Sequence, residues 1–405
     1  MTASIFQFTR PVQFACRHLY LIFVQLLLPV GIYSQISFNE DVRPILSANC
    51  FSCHGPDEKS RKAKLRLDVR EGALADLGGY RALEPGKADD SELILRVESK
   101  DEDEVMPPPD SGHALTASDR KILRAWVDAG GEYDVHWSFK RPLKASLPKI
   151  SQKAWPLHPL DHFVLKRLDA NGMHPSKDAD RYSWIRRVSL DLTGLPPTPE
   201  EADAFVTDTS NKAHEKVVDR LLESTSYGEH WARMWLDLAR YADTKGYEKD
   251  RHRNIWLYRD WVIDALNRDI PYDQFTTEQL AGDLLSNPTP DQLVATAFHR
   301  NTMSNDEGGT DNEEFRVAAV KDRVDSTMQV WMGLTMGCAK CHSHKFDPIS
   351  LKDYYGFYAL FNQTEDNDHP SDIPVYKVTP RENREKMASL SEELAVKTKK
   401  LEKYE

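Results

Sequence analysis

Five cysteines in 405 residues are too few for a disulfide-stapled scaffold, and their placement leaves none for a long-range bridge. Cys16 lies in an N-terminal apolar segment, and the other four form two Cys-x-x-Cys pairs. A membrane span is also lacking. The longest apolar run, Leu19 to Tyr33, contains Gln25 and Pro29, and its roughly 15 residues fall short of the roughly 20 that a span needs. There is no Gly-x-Ser-x-Gly elbow and no Gly-rich phosphate loop, which removes the motif-based case for a serine hydrolase or a P-loop nucleotidase. Positive charge is in deficit too. The formal net charge is −11, and −13 once residues 1–35, which hold only Arg10 and Arg17, are set aside. That excess of acid argues against nucleic acid and anionic lipid as main partners. Alternating, strand-like runs are scarce.

Residues 1–35 read as a secretory signal: Arg10 and Arg17, then the apolar run, then small or polar residues up to a cleavage point near Ser34. A membrane anchor is the competing reading. The mature chain is accordingly expected to be exported, to the periplasm or cell envelope. Residues 36–135 form one small helical domain. Val42, Ile45 and Leu46 recur at helical spacing, and a closing helix starts at Thr116 or Ser118, carries Ile122, Leu123, Trp126 and Val127 on one face and stops at Gly130-Gly131. Residues 136–157, with Pro142, Pro148 and Pro156, read as a linker. Residues 158–366 read as a larger all-α domain, with helical patterning over Pro159–Leu168, Arg181–Leu192, Glu215–Leu222, His230–Tyr241, Trp256–Leu266, Phe275–Leu285 and Phe315–Met336. Its tryptophans, Trp231, Trp235, Trp256, Trp261 and Trp331, are expected in the core. Residues 380–405 place Met387, Leu390, Leu394 and Leu401 near heptad spacing and read as the start of a coiled coil, still running at Glu405 and implying a coiled-coil partner and a truncated chain. The fold class expected is therefore mainly α.

Both cysteine pairs are followed directly by histidine: Cys50-Phe51-Ser52-Cys53-His54 and Cys338-Ala339-Lys340-Cys341-His342. Two thiols three positions apart can add to the two vinyl groups of one haem, and the adjacent imidazole then faces the iron. The rival is structural zinc, which wants four ligands where each set offers three, in a chain whose export makes reduced thiolates hard to keep. Two covalent haems c are the expected cofactors, held by Cys50 and Cys53 and by Cys338 and Cys341, with His54 and His342 on the irons. Met106, in Met106-Pro107-Pro108-Pro109, is the candidate sixth ligand of the first iron, with His113 as competitor. For the second iron His299, His252 and Met303 are candidates, His344 is too near His342 to cross the ring, and an open position is the other option. The carboxylates Asp237, Asp243, Glu248, Asp250, Asp306 and Glu307, near Tyr241 and Tyr247, read as solvated faces and salt bridges rather than an acid–base pair.

The segment Ile36 to Gly55 with the later Met106-Pro107-Pro108 resembles the planctomycete-type cytochrome c domain. The segment from about His158 to Asn367 resembles the cytochrome-like domain of unknown function (DUF1549-type) that follows it in large planctomycete proteins. It carries Tyr241-Ala-Asp-Thr-Lys-Gly-Tyr-Glu-Lys-Asp, Tyr258-Arg-Asp-Trp-Val-Ile, Glu278-Gln-Leu-Ala-Gly-Asp-Leu and Cys338-Ala-Lys-Cys-His-Ser-His-Lys-Phe-Asp-Pro. The resemblance implies haem at Cys50, Cys53 and His54 with Met106 distal, and a second haem-like site at Cys338, Cys341 and His342. It also implies that the chain stops before a further C-terminal domain. The leading functional expectation is electron transfer to or from a redox partner protein or that missing domain. The alternatives are a haem enzyme acting on a small substrate at an open second haem, and a scaffold with structural haem.

Overall fold

A computed structural model of the chain describes residues 36–344, 346–365, 373–380 and 383–402. The expected signal segment, 1–35, lies outside the described residues, as do 381, 382 and 403–405 of the expected coiled coil. The chain divides into two compact units, Met1–Leu143 and Lys144–Glu405. The protein is mainly α. Among the described residues extended pairing is confined to the isolated bridges Asp76–Arg81 and Thr244–His252, and no helix is long and apolar enough to cross a membrane.

The first unit opens on a π-helical turn, Phe38–Val42, where Ser37 donates its N–H to Asp41 and accepts from Glu40 N–H. It continues into α1 (Arg43–Asn49) and the single turn α2 (Phe51–His54). The short α3 (Arg70–Ala73) and then α4 (Glu92–Glu98) and α5 (Ala117–Asp128) complete it. Val42 and Leu46 of the opening segment and Leu123, Trp126 and Val127 of α5 share one core, fully or nearly fully buried. The Thr116 hydroxyl caps α5, accepting the Asp119 N–H while Asp119 accepts from the Thr116 N–H, a reciprocal cap worth about 1 kcal/mol. Trp126 sits against Phe38 and Tyr133 and donates its indole N–H to the Glu132 carbonyl, so its polar handle is satisfied inside the core.

The second unit packs α6 (Pro159–Ala170), α7 (Arg181–Thr193), α8 (Pro199–Thr207), α9 (Ala213–Leu222), α10 (Thr225–Leu238), α11 (Trp256–Asn267), α12 (Tyr272–Ala281), α13 (Pro290–Ala295), α14 (Asn312–Thr327) and α15 (Leu351–Phe361). Its main core joins Tyr258, Trp261, Val262 and Ala265 of α11 to Phe275 and Phe298. Trp235 and the Tyr258 hydroxyl both donate to the Gln279 carbonyl oxygen at 2.8 Å, so a buried amide is satisfied by two aromatic donors. Trp261 is buried, and Trp235, Trp256 and Trp331 are half-buried. Trp231 is exposed on α10, against the expectation that it is core. Nor is Phe315–Met336 one helix. The chain leaves α14 through a π turn at Met328–Met332, exits at Gly333 with φ 65° and re-forms as a short 3₁₀ turn, Met336–Lys340. The apolar periodicity ran through the break because Leu334, Met336 and Ala339 return to the core that Val324 and Met328 occupy. The C-terminal segment forms α16 (Arg384–Leu401), on which Met387, Leu390, Leu394 and Leu401 are all exposed.

Candidate haem-attachment sites

At the first motif the chain makes one tight helical turn. The His54 N–H donates to the Cys50 carbonyl at 2.7 Å and the Cys53 N–H to the same oxygen at 3.1 Å. Positions i, i+3 and i+4 of a helix share a face, so Cys50, Cys53 and His54 lie together. The turn is held from outside by N–H groups of Lys62 and Leu67, which donate to the Cys53 and His54 carbonyls at 2.8 Å each. Arg61 adds hydrogen bonds to the carbonyls of Gly55 and Pro56. Gly55 is needed here: a Cβ would lie 2.2 Å from the Phe51 carbonyl oxygen. Cys50 and Phe51 belong to the core, whereas Cys53 is exposed. Burial pushes the Cys50 thiol up to about 12, with Cys53 adding to the effect.

Burial lowers the His54 pKa against the opposing pull of the Lys62 backbone, which favours the neutral ring that a metal requires. Its Nδ1 is buried and has no hydrogen-bond partner. The fit to haem here rests on the donor set, two thiols and a half-buried imidazole on one helical turn. Met106 is half-buried in the loop between α4 and α5, with its N–H donating to the Arg96 carbonyl at 3.0 Å. His113 is half-buried in the same loop. Among the described hydrogen bonds none links Met106 to the Cys50–His54 turn.

The second motif is built differently. Cys338 lies in the 3₁₀ turn, Cys341 caps it, and Cys338, Cys341 and His342 are all exposed. His342 Nδ1 lies 2.9 Å from the Ser343 carbonyl oxygen. A carbonyl only accepts, so Nδ1 carries the proton and Nε2 keeps the lone pair that iron binds. The donor set therefore fits haem here as well. His344 does not join it. It is buried, and its Nδ1 accepts the N–H groups of Phe346 and Asp347, so it organises the following loop. Of the distal candidates, Met303 and His252 are exposed and His299 packs between the rings of Phe298 and Phe361. A haem bound at either motif supplies one-electron chemistry; the chain's share is to hold its edge, its iron ligand and its access to water.

The carboxylates expected to be solvated separate into two kinds. Asp237, Asp243 and Glu248 are exposed, and Asp243 accepts the Tyr241 hydroxyl at 2.6 Å. Asp306 is instead buried and lies 3.1 Å from the buried Lys245 ammonium. Sequence reasoning passed over Asp325 of α14, half-buried beneath the second motif. The signal for it was an acid next to Val324 on the inward face of a helix.

A mainly α protein whose Cys50–His54 motif forms a helical turn in a small core is of the c-type cytochrome class in its first unit. Residues 50–110 match the family model described as Planctomycete cytochrome C, so this part is a cytochrome c-like haem-binding domain; the family implies covalently bound haem c, and Cys50 and Cys53 are consistent with one attachment site. Residues 159–366, just over half the chain, match the model described as protein of unknown function (DUF1549), and the chain belongs to that family. The two matches follow in the order that the sequence resemblance implied. No curated protein and no solved structure matches the chain.

Proposed function

We propose that the chain is an exported cytochrome with two covalent haems that passes single electrons to or from a redox partner protein or a further C-terminal domain. The observation that carries this reading is the arrangement at His342: an Nδ1–H fixed on the Ser343 carbonyl and a free Nε2, beside two exposed thiols. It repeats at the surface the donor set that the first unit partly buries. Cys50, Cys53 and His54 hold the first haem, and Met106 is its distal ligand, from a loop stiffened by three prolines. Thioether opposite imidazole raises the potential and suits electron transfer. The acidic surface favours a basic partner and disfavours nucleic acid. The exposed apolar stripe of α16 makes a coiled-coil partner part of this proposal.

The test is expression with haem-attachment machinery, followed by a pyridine haemochrome assay and mass spectrometry of the intact chain. Two thioether-linked haems are expected. A chain with one haem, or with zinc at Cys338 and Cys341, sinks the reading. Two protein ligands on the second iron support electron transfer, whereas a water-ligated iron shifts the second unit towards chemistry on a small substrate.

A further inference from the structure

Cys338, Cys341 and His342 all face solvent, so none of them anchors the second turn in the core. The fixing comes from beneath. Ala339, between the two thiols, is fully buried among Val324, Met336, Ile349 and Tyr354. Lys340, the other residue between them, is held twice. Its ammonium lies 3.5 Å from the Asp325 carboxylate of α14, and its carbonyl accepts the Tyr355 hydroxyl of α15 at 3.1 Å. Gly337 rides so close over Asp325 that a Cβ there would lie 2.8 Å from Oδ2.

We propose that Asp325 and Tyr355 are positioning residues for haem capture at the second motif: they clamp Lys340, beside the buried Ala339, so that Cys338, Cys341 and His342 meet one porphyrin together. This inference rests on the two-haem reading above. The clamp has a cost, and the cost is local. Asp325 Oδ1 and the fully buried Tyr354 hydroxyl have no hydrogen-bond partner. Burial raises the Asp325 pKa and nearby Asp322 adds to it, against the opposing pull of Lys340. Burying an acid so poorly compensated weakens a fold. Such costs concentrate where geometry serves a site rather than stability. At the first motif the turn is held differently, by Cys50 and Phe51 anchored in the core and by the N–H groups of Lys62 and Leu67.

The test has two arms on the full chain, with Asp325→Ala, Lys340→Ala and Tyr355→Phe; the last two change exposed side chains and spare the core. In haem-free protein, hydrogen exchange of the amides of residues 337–342 should speed up about fivefold per variant while the amides of α5 stay unchanged. In protein made with attachment machinery, thioether occupancy at Cys338 and Cys341 should fall, and the residual second haem should shift in potential. Occupancy at Cys50 and Cys53 is the internal reference and should hold. Unchanged exchange, or full second-site occupancy at unchanged potential in all three variants, overturns the inference alone. A wild-type chain with one haem overturns the two-haem reading and this inference with it.

Discussion

The two cysteines of the first motif should react very differently in the folded, haem-free chain. The perturbation is iodoacetamide at pH 8 on protein made without attachment machinery. Only the thiolate attacks, so the rate follows the ionised fraction and access to the sulfur. An exposed thiol ordinarily titrates near 8.5, which leaves about a quarter ionised at pH 8. Burial holds Cys50 at about 12, so about one part in ten thousand is ionised, a deficit of a few thousandfold. Its 8% exposure removes reagent access as well. Peptide mass spectrometry should show Cys53, Cys338 and Cys341, all exposed, alkylated while Cys50 remains free. In urea the four should label alike. Folding state is followed by circular dichroism in the same samples. Alkylation of Cys50 within tenfold of the Cys53 rate, with helicity intact, would refute the reasoning that the first turn is anchored by Cys50 in the core.

Met106→Ala should lower the potential of one haem and remove its thioether-to-iron absorption at the red end of the oxidised spectrum; unchanged spectrum and potential would move the role to His113 or leave the position open. Lys245→Met removes one member of the buried pair with Asp306 and should cost ~3–5 kcal/mol, read from urea unfolding; a loss under about 1 kcal/mol would show that Asp306 is compensated without Lys245, by water or by Arg251 at 3.9 Å. Asp325→Asn should stabilise the haem-free chain at pH 7. The Asp325 pKa is raised in the fold, so ionisation costs stability as pH rises past the unfolded value of 3.8, and below that value the advantage of Asn should vanish. A melting temperature that falls at pH 7 in this variant would count against burial as the dominant influence on Asp325.

Local signals were readable wherever neighbouring residues made the structure. Thr116, with Ser118 as the alternative cap, announced α5, and Val42, Ile45 and Leu46 announced the inward face of the opening helices, because caps and 3.6-residue spacing are short-range. The capping boxes at Thr198 and Ser350 carry the same kind of signal for α8 and α15, which the apolar patterning alone did not pick out. What was not readable depended on partners far along the chain. Trp231 has the hydrophobicity of a core residue but lies on the outer side of α10, whose other side, with Ala232 and Ala239, packs inward. Asp306 has the composition of a surface acid, yet Lys245, 61 residues earlier, draws it into the interior. The break after α14 was hidden because both sides of it return to one core.

The two motifs show the same limit at the sites themselves. Five residues specify two thiols and an imidazole in register; the first set lies on one helical turn, and the second runs from a 3₁₀ turn through its cap at Cys341 to His342. Nothing in those five residues says which thiol is buried. At Cys50 the answer comes from α1 and from Trp126 and Tyr133, which build a core that takes in the first cysteine and leaves the second outside. At Cys338 it comes from Ala339, whose methyl group takes the buried place and lifts both cysteines to the surface. Phe51 at the corresponding place of the first motif also goes inward, but its bulk is met by a core large enough to include its neighbour. The residue after the first cysteine thus faces inward at both sites. Whether that cysteine follows it inside depends on the size of the core beneath: among the described residues, eighteen are buried in the first unit's cluster and five in the cluster under the second motif.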